Sequence, residues 1–358
     1  MIAIGHDVPS AAPRSLTRQW TLRESKLPSL SRNLFSTSIG SLIAVMVPVV
    51  VLLLFCASQA VAGGLDLPPA ATQGLDLLYG GQPEKALAKF HDMETESPNE
   101  PLGYLLEADA RWWQIYCQAC EMKWNMMDAW PQPPRIPADE AYLAVTDKVI
   151  ALAQAQISKK DSAAMELYAG MGWLLRARLL ALREERVATA RAGVKARSHL
   201  MRCLQLDPDM ADAYTGLGLY NYYVDTLSSM AKALRFLMGI PGGDKHEGIR
   251  QLKVAVKQAT LTRVEASFYL AKNLRIYEHD FTGAVETMTP LVTKYPQNPV
   301  FHLMLGDFQR ELHETELALA SYRTAEQLPL VDGACAKRVH DVVEQASALL
   351  PAGGASTQ

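Results

Sequence analysis

The chain has 358 residues, 49% of them apolar, with 35 basic against 38 acidic side chains and a formal net charge of −3. That is ample material for a large core and excludes a chain too polar to fold. No Lys/Arg stripe stands out beyond residue 38, which argues against nucleic acid as a partner.

Residues 1–38 form a basic leader, with Arg14, Arg18, Arg23, Lys26 and Arg32 against Asp7 and Glu24. Residues 39–62, from Ile39 to Ala62, contain no charged side chain, and about 20 apolar residues suffice to cross a bilayer. Ala60-Val61-Ala62 before Gly63 supplies a small-x-small cleavage site, so the layout is that of a secretory signal peptide. A retained membrane anchor with its basic end in the cytoplasm fits the same residues. Either outcome exports the remainder, as a periplasmic protein or one anchored by its N-terminal helix. Cys56 is a poor lipid-attachment site, because the preceding Phe55 is bulky.

Few stretches beyond this point alternate with period two, so residues 63–350 read as all-α. A first hairpin is expected over 67–98, turning at Gly80-Gly81-Gln82-Pro83. The next helix starts at Pro101 and runs to about Trp124. The Pro-rich run 131–137 then breaks the chain before a partner helix at 138–157. A third hairpin spans 161–207. A fourth begins at Tyr214 and is enlarged by the hydrophobic stretch Met230 to Ile240, a Pro241-Gly242-Gly243-Asp244 turn and a helix over 245–259. Hairpins at 263–295 and 298–328 follow, then a capping helix at 335–350. Residues 351–358 are expected to be a disordered tail.

One spacing recurs through these hairpins. Leu305-Gly306 is followed by Ala318, Tyr322, Ala325 and Pro329; the same register gives Gly74, Ala86, Phe90 and Pro98, and parts of it return at Leu217-Gly218 and at Ala284, Met288 and Pro296. The pattern resembles the tetratricopeptide repeat (TPR), in which small residues let two helices approach and a large one fills the hole between neighbours. The resemblance implies a right-handed superhelical solenoid of helical hairpins with a concave binding groove. Within it, Gly218-Leu219-Tyr220-Asn221, Gly239, Gly243-Asp244, Gly248 and Leu252 resemble the tetratricopeptide repeat protein 39 family over residues 214–252.

The TPR register places Asp109, Trp112 and Trp113 at groove positions of the second hairpin. It places Tyr222 and Tyr223 there in the fourth, Tyr269, Asn273 and Tyr277 in the fifth, and Asp307 and Arg310 in the sixth. Rings at such positions suit a binding surface, since they bury much area at small entropic cost; the competing reading is inter-helix core. Four of the six tryptophans fall between Trp112 and Trp130 with Met122, Met126 and Met127, a cluster that reads as core under a Pro-rich loop or as a sticky patch.

Catalytic and cofactor signals are weak. Cys117-Gln118-Ala119-Cys120 lacks the His of a haem site and sits inside a predicted helix, so it reads as structural or as a local disulfide. Beyond residue 62 only Cys117, Cys120, Cys203 and Cys335 occur, too few for a disulfide framework. Gly239 to Lys245 lacks the Gly-Lys-Ser/Thr ending of a phosphate loop, and His246, His279, His302 and His313 show no metal spacing. The expectation is therefore no cofactor, no metal and no enzyme activity. The chain reads as a scaffold outside the cytoplasm that holds a protein or extended peptide in its groove. The alternative is a carrier of a small ligand or lipid accompanying an envelope transport system.

Overall fold

The computed structural model describes residues 65–133, 135–330 and 332–350. The leader, the uncharged 39–62 segment and the 351–358 tail lie outside the described residues. Among those described, no helix is long and apolar enough to cross a membrane.

Six helical hairpins follow one another. They are α1 (Pro69–Tyr79) with α2 (Pro83–Glu96), α3 (Pro101–Ala119) with α4 (Pro137–Ile157), and α5 (Ala163–Leu182) with α6 (Arg186–Leu206). Then α7 (Ala213–Asp225) pairs with α9 (Lys245–Gln258) around an inserted α8 (Ser229–Leu237). The last two are α10 (Arg263–Asn273) with α11 (Phe281–Lys294) and α12 (Pro299–Glu311) with α13 (Thr315–Gln327), and α14 (Gly333–Ala348) caps the stack. Proline occupies the first turn of α1, α2, α3, α4 and α12, where its missing N–H has no helical partner to lose. Side chains of Ser162, Asp244, Asp280 and Asp332 accept the free amides at four other starts, and Asn298 does the same at α12, a cap worth about 1 kcal/mol each.

The recurring spacing does the packing expected of it. A Cβ on Gly74 would fall inside the ring of Phe90, and one on Gly306 would collide with Tyr322. Each glycine thus makes the hole that the large residue of its partner helix fills, and Phe90 and Tyr322 are fully buried. First helices α3, α5 and α7 also pack on one another in sequence, as do α7 and α10, and α12 and α14. They form one layer, with the second helices on its flank.

The stack also closes on itself. Tyr295 OH donates to Asp76 Oδ1 at 2.9 Å, and Asn298 Nδ2 donates to the Tyr79 carbonyl at 3.0 Å. Gly81, at φ 78°, brings its backbone against Gln297 where no side chain would fit. A disulfide joins Cys117 of α3 to Cys335 of α14 across 218 residues, with Cα atoms 5.3 Å apart. This rules out a local Cys117–Cys120 disulfide, one of the two readings of that pair: Cys120 is free and buried. The described residues between 65 and 350 form one compact unit with this core.

Helix α3 stops at Ala119, five residues short of the expected end. Cys120–Lys123 (β1) and Met126–Ala129 (β2) then pair as an antiparallel hairpin. Trp124 and Asn125 at its tip have φ 49° and 58°, the two left-handed residues of a tight hairpin turn. Tertiary anchors hold it: Tyr116 OH donates to Asp128 Oδ1 at 2.9 Å, and Trp130 Nε1 to the Glu121 carbonyl at 3.1 Å. These outweigh the local helical preference. The following Pro-rich loop is fixed by Arg183, which makes a two-pronged pair with buried Asp139 and donates to the Gln132 carbonyl.

Candidate functional site

All ten sequence-predicted groove residues lie on the first-helix layer or on the turn that extends it, and they meet in two groups. The first fills the interior. Trp113 stacks edge-on against Phe268 (4.9 Å), Phe301 (5.8 Å) and Tyr79 (5.9 Å), so α1, α3, α10 and α12 meet through aromatic rings. Trp112, Trp113, Tyr269, Asn273 and Asp307 are buried, and Tyr222 is fully so. These residues therefore do not line an open groove, because the array winds tightly enough for its inner side chains to pack on one another.

Charges thread this interior in pairs. Asp109 accepts from the Tyr79 hydroxyl at 3.1 Å. Enclosure pushes its carboxyl up to about 6, against the opposing pull of Arg178 and that hydrogen bond. Arg178 pairs with Glu265 and lies 4.8 Å over the Tyr269 ring. Asp307 sits between Arg275 (3.0 Å) and Arg310 (2.7 Å); burial raises its pKa and the two guanidiniums offset part of that rise. Desolvation lowers the pKa of Lys272, but Asp128 at 2.8 Å, with Tyr269 and Tyr277 beside it, more than reverses this, leaving the ammonium more strongly held than usual. Breaking such a pair from one side costs about 3–5 kcal/mol, so these groups fix the inner geometry.

The hairpin tip plugs this face. The Asn125 carbonyl accepts from both Arg275 and Arg310, and Asp128 takes up Lys272. An extended segment thus does lie along the inner side, and it is residues 120–129 of the chain itself. Sequence reasoning missed this hairpin, along with Arg178, Glu265, Lys272 and Arg275. The left-handed preference of Asn125 was the available local signal.

The second group is a tyrosine cluster at the rim. Helix α10 ends in one π-helical turn, Leu274–Glu278, a feature often found at functional sites. That turn carries Tyr277 outward, 45% exposed, while its ring stays 5.7 Å from Tyr222 and 6.4 Å from Tyr223. Tyr223 OH donates to Asn273 Oδ1 at 3.0 Å, and Tyr222 OH to Glu278 Oε1 at 2.8 Å. Lys245 completes the rim through Glu278 at 3.1 Å.

Elsewhere, ligand atoms of His91, Glu94 and Glu107 lie within 4.8 Å of one another. Arg111 already stands 2.6 Å from Glu107. Burial, then the nearby Glu107, push the Glu94 carboxyl up to about 8. A cavity of about 60 Å³ adjoins the disulfide, lined by Leu78, Trp113 and Cys117 among others. That is room for one or two waters.

No protein-family model and no curated protein matches the sequence. Solved structures similar to the chain include the C-terminal part of a TPR repeat-containing protein from Cytophaga hutchinsonii. That match has 13% identity and a TM-score of 0.32, and covers 72% of this chain and 78% of that one. A thermophilic TPR protein from Thermus thermophilus is similar at 12% identity and a TM-score of 0.29, over 77% of this chain and 97% of that one. At these scores the repeat architecture rests on the packing described above. Nothing found in these comparisons carries the likeness to the tetratricopeptide repeat protein 39 family.

Proposed function

We propose that the chain is a non-enzymatic helical-repeat scaffold acting outside the cytoplasm, and that it holds a protein or extended peptide along the rim of its inner face. The observation that carries this reading is the rim itself. Tyr277 is presented to solvent by an irregular turn, backed by Tyr222 and Tyr223, with Lys245 and Glu278 beside it. A rigid aromatic flanked by paired charges is the composition of an interface anchor. The rest of the inner face is committed to the core. The Cys117–Cys335 bridge supports export, because disulfides persist in oxidising compartments and the 39–62 segment supplies the route.

The test is capture from envelope extract with the parent and with Tyr277→Ala. A binding role predicts one specific protein retained by the parent, lost by the variant, at unchanged melting temperature. Equal capture by both would remove the rim from the interface. Full-length protein found free in the cytoplasm would overturn the location.

A second reading, a small-ligand or lipid carrier, is favoured by an open cleft of about 320 Å³ between α6, α7 and α9, at the lower end of ligand-site sizes. Its lining of Arg197, Met201, Leu217 and Asn221 mixes apolar and polar groups. Lipid extraction of protein purified from the envelope would reveal such cargo.

A further inference from the structure

Helices α2 and α3 bring three metal-ligating side chains to one point. His91 and Glu94 stand three residues apart on α2 and so share a face, and Glu107 meets them from α3. Ligand atoms of all three lie within 4.8 Å of one another, and His91 Nε2 is 3.3 Å from Glu107 Oε1. Zinc bonds of about 2.0–2.2 Å set the edge of a tetrahedral site at about 3.3–3.6 Å. The His91–Glu107 pair already has that spacing, and Glu94 joins it by side-chain rotation. Gly103 makes the approach possible. A Cβ there would stand 3.0 Å from Glu94 Cγ and 3.2 Å from the Glu94 amide nitrogen. Its absence lets Glu94 settle on α3 one turn before Glu107.

The cluster is short of positive charge at its centre. The Glu107 side chain is only 6% exposed, and Arg111 holds its Oε1 at 2.6 Å. Glu94 forms no ion pair among the described residues, and its Oε1 is buried with no hydrogen-bond partner. One guanidinium therefore serves two neighbouring carboxyls and is already taken by the more enclosed one. A buried carboxylate oxygen without a donor is costly, and a cation bonded to it removes that cost. An imidazole among the ligands suits zinc and its transition-metal neighbours, whereas magnesium and calcium take oxygen shells. Arg111 has the place of an outer-shell donor that orients a ligating carboxylate.

We propose that His91, Glu94 and Glu107 form a zinc site that bridges the first and second hairpins. Three protein ligands leave a fourth position for water. The bound ion ties α2 to α3, and its binding is independent of the tyrosine rim.

Isothermal titration with zinc chloride of the full chain, stripped with EDTA and dialysed free of it, tests the site. The expected result is one zinc ion per chain and a higher melting temperature at saturation. His91→Ala and Glu94→Gln should each weaken zinc binding at least about tenfold. His340→Ala, which alters an exposed His–Glu pair with Glu326, should leave it unchanged. The His91 side chain is 50% exposed, so metal-free His91→Ala should melt with the parent. Failure of the parent to bind zinc stoichiometrically overturns the proposal, as does zinc binding that either His91→Ala or Glu94→Gln leaves undiminished. Loss of binding in His340→Ala alone would assign the ion to that surface pair, and overturns it. Calcium chloride bound as tightly as zinc, and equally by the parent and His91→Ala, would mark an oxygen-only site and overturns it too.

Discussion

Gly218 and Gly248 mark the tightest crossing between α7 and α9. A Cβ on Gly218 would stand 2.9 Å from the Gly248 carbonyl oxygen and 3.2 Å from the Leu252 amide; one on Gly248 would stand 2.7 Å from the Gly218 oxygen. These are backbone atoms and cannot rotate away. Gly218→Leu should therefore lose about 3 kcal/mol or more, at or beyond the usual range for overpacking, as read by urea denaturation. A midpoint equal to the parent's would show that the two helices can separate without cost. A second residue-scale prediction concerns pH. Glu94 has a folded pKa of about 8 against an ordinary 4.5, so the native state binds more protons between these values. Its stabilising contribution is present below the unfolded pKa and is lost as pH rises through about 8. Glu94→Gln keeps the shape without titrating. Its melting temperature relative to the parent should rise from pH 6 to pH 9, and a flat difference would exclude the raised pKa.

At the scale of elements, the disulfide between α3 and α14 is the informative feature. It ties the second hairpin to the cap across 218 residues. In the chain-entropy account, a loop of that length adds about 5 kcal/mol at most. Reduction, or Cys335→Ser, should lower the melting temperature while leaving helix content intact. Cys120, buried and pushed up to about 12 by burial, should resist alkylation until the protein unfolds. Rapid labelling of Cys120 in native protein would contradict the β-hairpin packing. The hairpins were readable from the sequence because proline starts and small/large spacing are local signals. The β1–β2 hairpin was not, since its stability comes from Tyr116, Lys272, Arg275 and Arg310, which approach it only after the array has folded. The Cys117–Cys335 pairing was illegible for the same reason.

For the whole molecule, nine of the ten residues that the register put at groove positions lie on first helices and Tyr277 lies on the turn that extends α10, yet the register could not say how tightly that layer curls. Curvature is a sum of small rotations at each hairpin, and no single residue encodes it. Closure through Asp76–Tyr295 and Tyr79–Asn298 turns most of the expected groove into core and leaves Tyr277 exposed at the rim. The central claim is that the inner aromatic face is core and the rim is surface. Urea denaturation of Tyr269→Ala beside Tyr277→Ala tests it most directly. The account predicts a loss of about 3–5 kcal/mol for Tyr269→Ala, as for other buried aromatics, and a change within about 0.5 kcal/mol for Tyr277→Ala, as at exposed sites. Equal, near-parental stability of the two variants would contradict it and reopen the groove.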